Sequence, residues 1–174
     1  MVCNAIETGV IEGDGPYYPQ PSTPLRPGPR ETFAGRKYMV AMSPDTVPIC
    51  AEVGAVQGMF AYKPWEDVVP DIQNYQNLFR QHHGTEPPPT MTADLVYCAE
   101  SEAEAEEGAY NYIAKYFESF AHHYEIFGDH LKDSKSYSHY SAAGDALKEF
   151  GYDEMIKSFV AANVWGTPRQ TLEK

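Results

Sequence analysis

The order of apolar and helical segments predicts an α/β fold with parallel strands. From residue 37 onwards, four short apolar runs alternate with helical patterns. Such alternation is typical of a parallel sheet, either open or closed into a barrel. The 174 residues suit one domain with a real core. Four strand–helix units make half of an eight-unit barrel, and a full barrel needs about 250 residues.

The first 36 residues precede this alternation. Residues 13–30 are dense in proline and glycine and carry the pair Tyr17–Tyr18. Such density disfavours regular structure, so an extended loop is predicted. The chain 1–174 is then one domain, made of a proline-rich loop over residues 1–36 that leads into four strand–helix units over residues 37–174.

The predicted strands are the short apolar runs at residues 37–42, 55–62, 92–98 and 161–165. The predicted helices cover residues 45–53, 65–83, 101–127 and 137–160, and a last helix begins at residue 168. Gly54 and Gly84 are placed to end the first two helices. Ser101 and the acidic turn after it suit the start of the third helix, because acidic residues complement the helix dipole.

Composition and charge exclude several classes. Hydrophobic residues make up 43% and charged residues 22%, as in a soluble globular protein. No apolar run reaches the roughly 18 residues that a membrane span needs. The net charge of −12 disfavours nucleic acid and anionic membranes as partners. Three widely spaced cysteines and the lack of a secretory signal pattern lead us to expect a cytoplasmic protein.

The best candidate for chemistry is the strand-to-helix junction at residues 41–46. Ser43 can cap the helix, Pro44 suits its first position, and Thr46 brings a second hydroxyl to the same spot. Backbone N–H groups and the helix dipole there favour a phosphate at the carboxyl end of the strand. A plain helix cap without a ligand explains the same residues.

Two further groups have structural explanations. Gly166-Thr167-Pro168 is a second strand-to-helix junction and can also be a simple cap. His82-His83 lies at the end of a predicted helix, where a cation complements the dipole. The cluster of His122, His123, Glu125, Asp129 and His130 lacks a recognisable ligand pattern, so no metal is predicted.

Five segments in order along the chain carry motifs that point to one family. They are residues 12–18 with G-x-x-Y, 39–46 followed by 51–54, 71–79, 96–106 with A-E-x-x-x-E-A, and 164–169, which has G-T-P-R where the family has G-T-P-E. Together they resemble the bacterial-luciferase-like monooxygenases. Members of that family are (β/α)8 barrels that use reduced FMN and O2.

The resemblance implies that the chain is the C-terminal half of a luciferase-like TIM (β/α)8 barrel, with parallel strands and a helical insertion. It implies that Ser43 and Thr46, with the backbone at Met42 and Asp45, hold the phosphate of FMN. It leaves Gly166–Thr167 mainly as a cap. The family's first four strands, which carry the flavin-ring contacts and the catalytic histidine, have no counterpart here, so no catalytic residue is assigned.

The implied function is that of an FMN-dependent monooxygenase or oxidoreductase, which uses reduced flavin and O2 on a small organic substrate and needs the missing N-terminal half. The alternative is a non-catalytic half-barrel that binds flavin or a partner. A half-barrel exposes strand edges and an apolar interior. We therefore expect it to pair with a second half-barrel or with itself.

Overall fold

A computed structural model describes residues 1–30, 35–125, 128 and 149–174. These residues form two compact units, which are described separately. The first unit contains Met1–Gly58 and Asn74–Met91, and the second contains Met59–Gln73 and Thr92–Lys174.

The first unit begins with a helix and a hairpin, and parallel strands follow. Its elements are α1 (Val2–Thr8), β1 (Val10–Gly13), β2 (Gln20–Pro24), β3 (Tyr38–Val40), α2 (Thr46–Glu52), most of β4 (Val56–Phe60) and the C-terminal part of α3 (Trp65–His83). Strands β3 and β4 are parallel, with Met39 opposite Gln57. The core between α2, α3 and the strands consists of Ala41, Val47, Cys50, Ala51, Ala55, Tyr75 and Phe79.

The predicted loop over residues 1–36 is wrong where α1, β1 and β2 form. Strands β1 and β2 are antiparallel, and Val10 lies opposite Pro24. Leu25 N–H donates to Gly9 O at 2.8 Å. In an antiparallel ladder the backbone N–H groups of adjacent residues point alternately towards and away from the partner strand. Because the N–H of Leu25 points towards β1, the nitrogen of Pro24 points away from it, and its missing N–H costs no ladder bond. Proline density alone therefore did not exclude a strand here.

The second unit packs helices against a parallel strand pair. Its elements are the end of β4, the start of α3, the end of β5 (Met91–Ala93), β6 (Val96–Cys98), α4 (Glu102–Gly108), a π-helical turn (Ala109–Ile113), α5 (Ala114–His123), α6 (Tyr152–Ala162), β7 (Val164–Gly166) and α7 (Pro168–Glu173). Tyr97 of β6 lies opposite Trp165 of β7. The core consists of Ala109, Ile113, Ala114, Phe117, Ala121, Met155, Phe159 and Val160.

Two predicted strands need correction. The run 92–98 is divided between β5 and β6, because its parts pair with different neighbours: Ala93 O accepts from Ala61 N–H, whereas Leu95 O accepts from Val164 N–H. The run 161–165 contributes only its end to β7, because α6 continues to Ala162.

The helix predictions agree best where a glycine ends the helix. Helix α3 has the predicted bounds, and Gly84 beyond it has a left-handed φ of 65°. The helix predicted at 101–127 contains the π-helical turn and α5 ends at His123; residues 126 and 127 lie outside the described residues. Of the helix predicted at 137–160, residues 137–148 also lie outside them, and Gly151 with φ 88° precedes α6.

The two parallel pairs confirm an α/β fold with parallel strands. The described strands form three sheets, with the orders β1-β2, β3-β4-β5 and β6-β7, so β3 lies at an edge. Among the described residues, none of the helices has the length and apolar character needed to cross a bilayer.

Candidate functional site

The junction between β3 and α2 lies at the carboxyl end of a parallel strand. Strand β3 ends at Val40, and Ala41 extends the pairing by one bond from its N–H to Gly58 O at 3.0 Å. The chain then turns through residues 42–45 into α2. Ligands of parallel α/β folds bind at this end of the strands.

Ser43 and Thr46 are joined by reciprocal hydrogen bonds at this junction. Their hydroxyl oxygens lie 2.9 Å apart. Thr46 N–H donates to Ser43 Oγ at 3.3 Å, and Ser43 N–H donates to Thr46 Oγ1 at 3.2 Å. Ser43 is buried, with 7% of its surface exposed. The predicted proximity of the two hydroxyls is therefore confirmed. The residue at the N-cap of α2 is Asp45, not Ser43 as predicted, and its side chain makes no capping bond.

The start of α2 differs from the predicted one. Ser43 O accepts from Val47 N–H at 3.1 Å, the bond expected if Ser43 precedes a helix that starts at Pro44. The regular helix nevertheless begins at Thr46. The next bond would join Pro44 O to the N–H of residue 48, but Pro48 has no N–H to donate. Pro44 and Asp45 therefore form a turn before the helix.

The junction has donors that suit a phosphate. Within the described part of the chain, the backbone N–H groups of Met42 and Asp45 donate to no acceptor. Asp45 is exposed, and Met42 and Thr46 are half-buried. Two hydroxyls that can rotate away from each other and two free amides match the acceptor oxygens of a phosphate. The predicted site residues are thus brought together, and their donors fit the group.

The opposite end of α2 is held by two side chains of the same unit. Lys37 Nζ donates to Val53 O and also pairs with Glu7 at 2.7 Å. His83 Nε2 lies 2.8 Å from Ala51 O. Donors at the last carbonyls of a helix stabilise its C-terminus. His83, which was predicted to complement the dipole of its own helix, therefore contacts α2 as well.

Sequence reasoning missed the polar contacts of three side chains in this unit. Gln57 and Thr90 lie next to the junction, whereas Tyr75 contacts the start of β4, away from it. Gln57 is fully buried; its Nε2 donates to Ala41 O at 3.0 Å, and its Oε1 accepts from Thr90 Oγ1 at 3.1 Å. Tyr75 is also fully buried and donates to Ala55 O at 2.8 Å. Burial raises the pKa of the Tyr75 phenol. The available signal was a single glutamine inside the apolar run 55–62.

The second junction, at Gly166–Thr167, is a cap as predicted. Thr167 N–H and Thr167 Oγ1 both donate to Gln170 Oε1, at 2.8 and 2.9 Å. The backbone N–H of Gln170 in turn donates to the Thr167 side chain, and these bonds together form a capping box. Its hydroxyl and amide donors are used within the helix start.

The histidine cluster is only partly described. His123 Nδ1 lies 2.7 Å from Ser119 O, which accounts for that ring within its own helix. Asp129 and His130 lie outside the described residues. Among the residues that are described, no three metal-ligating side chains come together. That the protein binds no metal stays a prediction.

Comparison with known proteins gives one family and one fold. The family model described as luciferase-like monooxygenase matches residues 2–174. A solved structure of a type II Baeyer–Villiger monooxygenase is similar, with 13% sequence identity and a TM-score of 0.55. It is the oxygenating constituent of 3,6-diketocamphane monooxygenase from the CAM plasmid of Pseudomonas putida, in complex with FMN. The similarity covers 98% of this chain and 48% of that one. No curated protein sequence matches.

Fold and junction define an α/β protein that places helix starts at the carboxyl ends of parallel strands. The chain belongs to the luciferase-like monooxygenase family, because the family model matches almost all of it. It spans about half the length of the solved structure that it resembles.

Proposed function

We propose that this chain is the C-terminal half of an FMN-dependent monooxygenase, which uses reduced flavin and O2 on a small organic substrate. The observation that carries the proposal is the hydroxyl pair of Ser43 and Thr46, 2.9 Å apart at the end of β3 beside free amides, in a chain of this family. The similar structure that contains FMN supports the choice of flavin.

In this proposal the residues of the junction bind the phosphate of FMN. Ser43 and Thr46 donate their hydroxyl protons, and Met42 and Asp45 donate their backbone N–H groups. The positive end of the α2 dipole stabilises the phosphate charge in an acidic chain. When bound, reduced FMN would supply the chemistry that activates O2. No side chain of the described residues is assigned to proton transfer.

Exposed strand faces support the view that a second half completes the barrel. In a parallel sheet both faces are normally covered. Val40 on β3 is 69% exposed and Val96 on β6 is 63% exposed. Among the described strands, β3 also lies at the edge of its sheet. We propose that the partner is a second half-barrel or a second copy of this chain.

Titration of FMN into the purified chain, followed by the quenching of flavin fluorescence, tests the proposed function. Saturation at one FMN per chain is expected, since the junction offers one phosphate site. If FMN does not bind saturably, the proposal is wrong.

A further inference from the structure

We propose that Gln57 is a positioning residue for the phosphate-binding junction, an inference that rests on the proposed function. Gln57 lies on β4, with none of its surface exposed. Its amide connects two segments of the first unit, since Nε2 donates to Ala41 O at 3.0 Å and Oε1 accepts from Thr90 Oγ1 at 3.1 Å. Ala41 immediately precedes Met42 and Ser43.

The bond to Ala41 compensates for the end of β3. Ala41 is fully buried, so water cannot satisfy its carbonyl. A buried carbonyl without a partner is unfavourable. Gln57 supplies that partner from its side chain, and the backbone can therefore turn away from β4 after Ala41.

The same bond fixes the direction of a proposed phosphate donor. Ala41 C=O and Met42 N–H belong to one planar trans peptide group, in which they point in opposite directions. Gln57 holds the carbonyl towards β4, so the Met42 N–H points away from it. That N–H donates to no acceptor in the described residues. Gln57 thus orients, without touching the ligand, one of the donors of the proposed phosphate site.

Thr90 anchors the far end of the Gln57 amide. The carbonyl of Ala41 can only accept, so the NH2 group of Gln57 must face Ala41, and Oε1 then points to Thr90. The Thr90 hydroxyl donates to Oε1 at 3.1 Å and holds the amide in this position. Thr90→Val removes this bond with little change in shape, so it is a milder perturbation than any change at Gln57.

The test compares FMN with riboflavin, which lacks the phosphate. Gln57→Met keeps the length of the side chain and removes its donor; Gln81→Met, at an exposed position of α3, is the matched control. For Gln57→Met we expect FMN affinity to fall about tenfold and riboflavin affinity to stay within about twofold, because the Met42 N–H is no longer held in place and its hydrogen bond to the phosphate is weakened. Thr90→Val should weaken FMN in the same direction by less, and Gln81→Met should change neither affinity.

Each remaining outcome overturns the inference. If Gln57→Met folds and either keeps its affinity for FMN or loses FMN and riboflavin equally, Gln57 has only a structural role. If Gln57→Met does not fold, Thr90→Val takes its place, and unchanged FMN affinity or an equal loss of FMN and riboflavin affinity again overturns the inference. If the wild-type chain binds FMN no more tightly than riboflavin, the phosphate site of the proposed function fails too. If the wild type prefers FMN to riboflavin and the variants keep that preference, only the role of Gln57 is refuted and the phosphate site stands.

Discussion

Removing both hydroxyls of the junction should weaken FMN binding strongly. In Ser43→Ala with Thr46→Val, the pair of oxygens that now lie 2.9 Å apart is lost. A hydrogen bond to a charged group contributes about 1–2 kcal/mol, so two such bonds contribute roughly 2–4 kcal/mol. The dissociation constant for FMN should therefore rise roughly 30- to 900-fold.

The same double variant should also lower stability, and a control separates the two effects. Ser43 Oγ accepts from Thr46 N–H at 3.3 Å, and loss of such a hydroxyl–amide bond at the start of a helix costs about 1 kcal/mol. Ser101 Oγ accepts from Glu104 N–H at the same 3.3 Å at the start of α4. Ser101→Ala should therefore destabilise the chain by a similar amount and leave FMN affinity unchanged.

Urea unfolding and FMN titration of the three proteins make the comparison. Equal FMN affinities in the wild type and the double variant would refute the phosphate site. A loss of FMN affinity in Ser101→Ala as large as in the double variant would show that the effect comes from destabilisation alone.

Three more predictions follow from packing and exposure. In Gly108→Ala the new Cβ would lie 1.9 Å from the ring of Tyr97, so urea unfolding should show a loss of about 1–3 kcal/mol; an unchanged midpoint contradicts this packing. Iodoacetamide should label exposed Cys98 well before buried Cys50, whose pKa is raised to about 11 by burial, and mass spectrometry of digested protein checks the order; equal rates contradict it. Light scattering should show that the chain associates, because its strand faces are exposed. A monodisperse 19.5 kDa species that is unchanged on dilution would contradict this expectation.

Local rules predicted the elements whose signals lie within a few residues. Helix α3 followed from its apolar spacing and from Gly84, whose φ of 65° suits glycine. The cap at Thr167 and the helix start at Ser101 were also predicted, because a capping hydroxyl and the amide that it accepts from are three residues apart.

What the sequence did not reveal depends on distant partners. The β1–β2 hairpin was missed because the density of prolines alone predicted a loop. Whether Pro24 can lie in a strand depends on the strand register, which directs its nitrogen away from β1. The division of residues 92–98 depends on Ala61 and Val164, which pair with its two ends. The partners of Gln57 lie 16 and 33 residues away, so its position in an apolar run predicted a strand and nothing about the junction.

The central claim is that the junction of β3 and α2 holds the phosphate of FMN. A crystal structure of the chain with FMN tests it most directly. We predict phosphate oxygens within hydrogen-bonding distance of Ser43 Oγ, Thr46 Oγ1 and the amides of Met42 and Asp45. An FMN phosphate bound elsewhere on the chain, with Ser43 and Thr46 still paired to each other, would contradict the account.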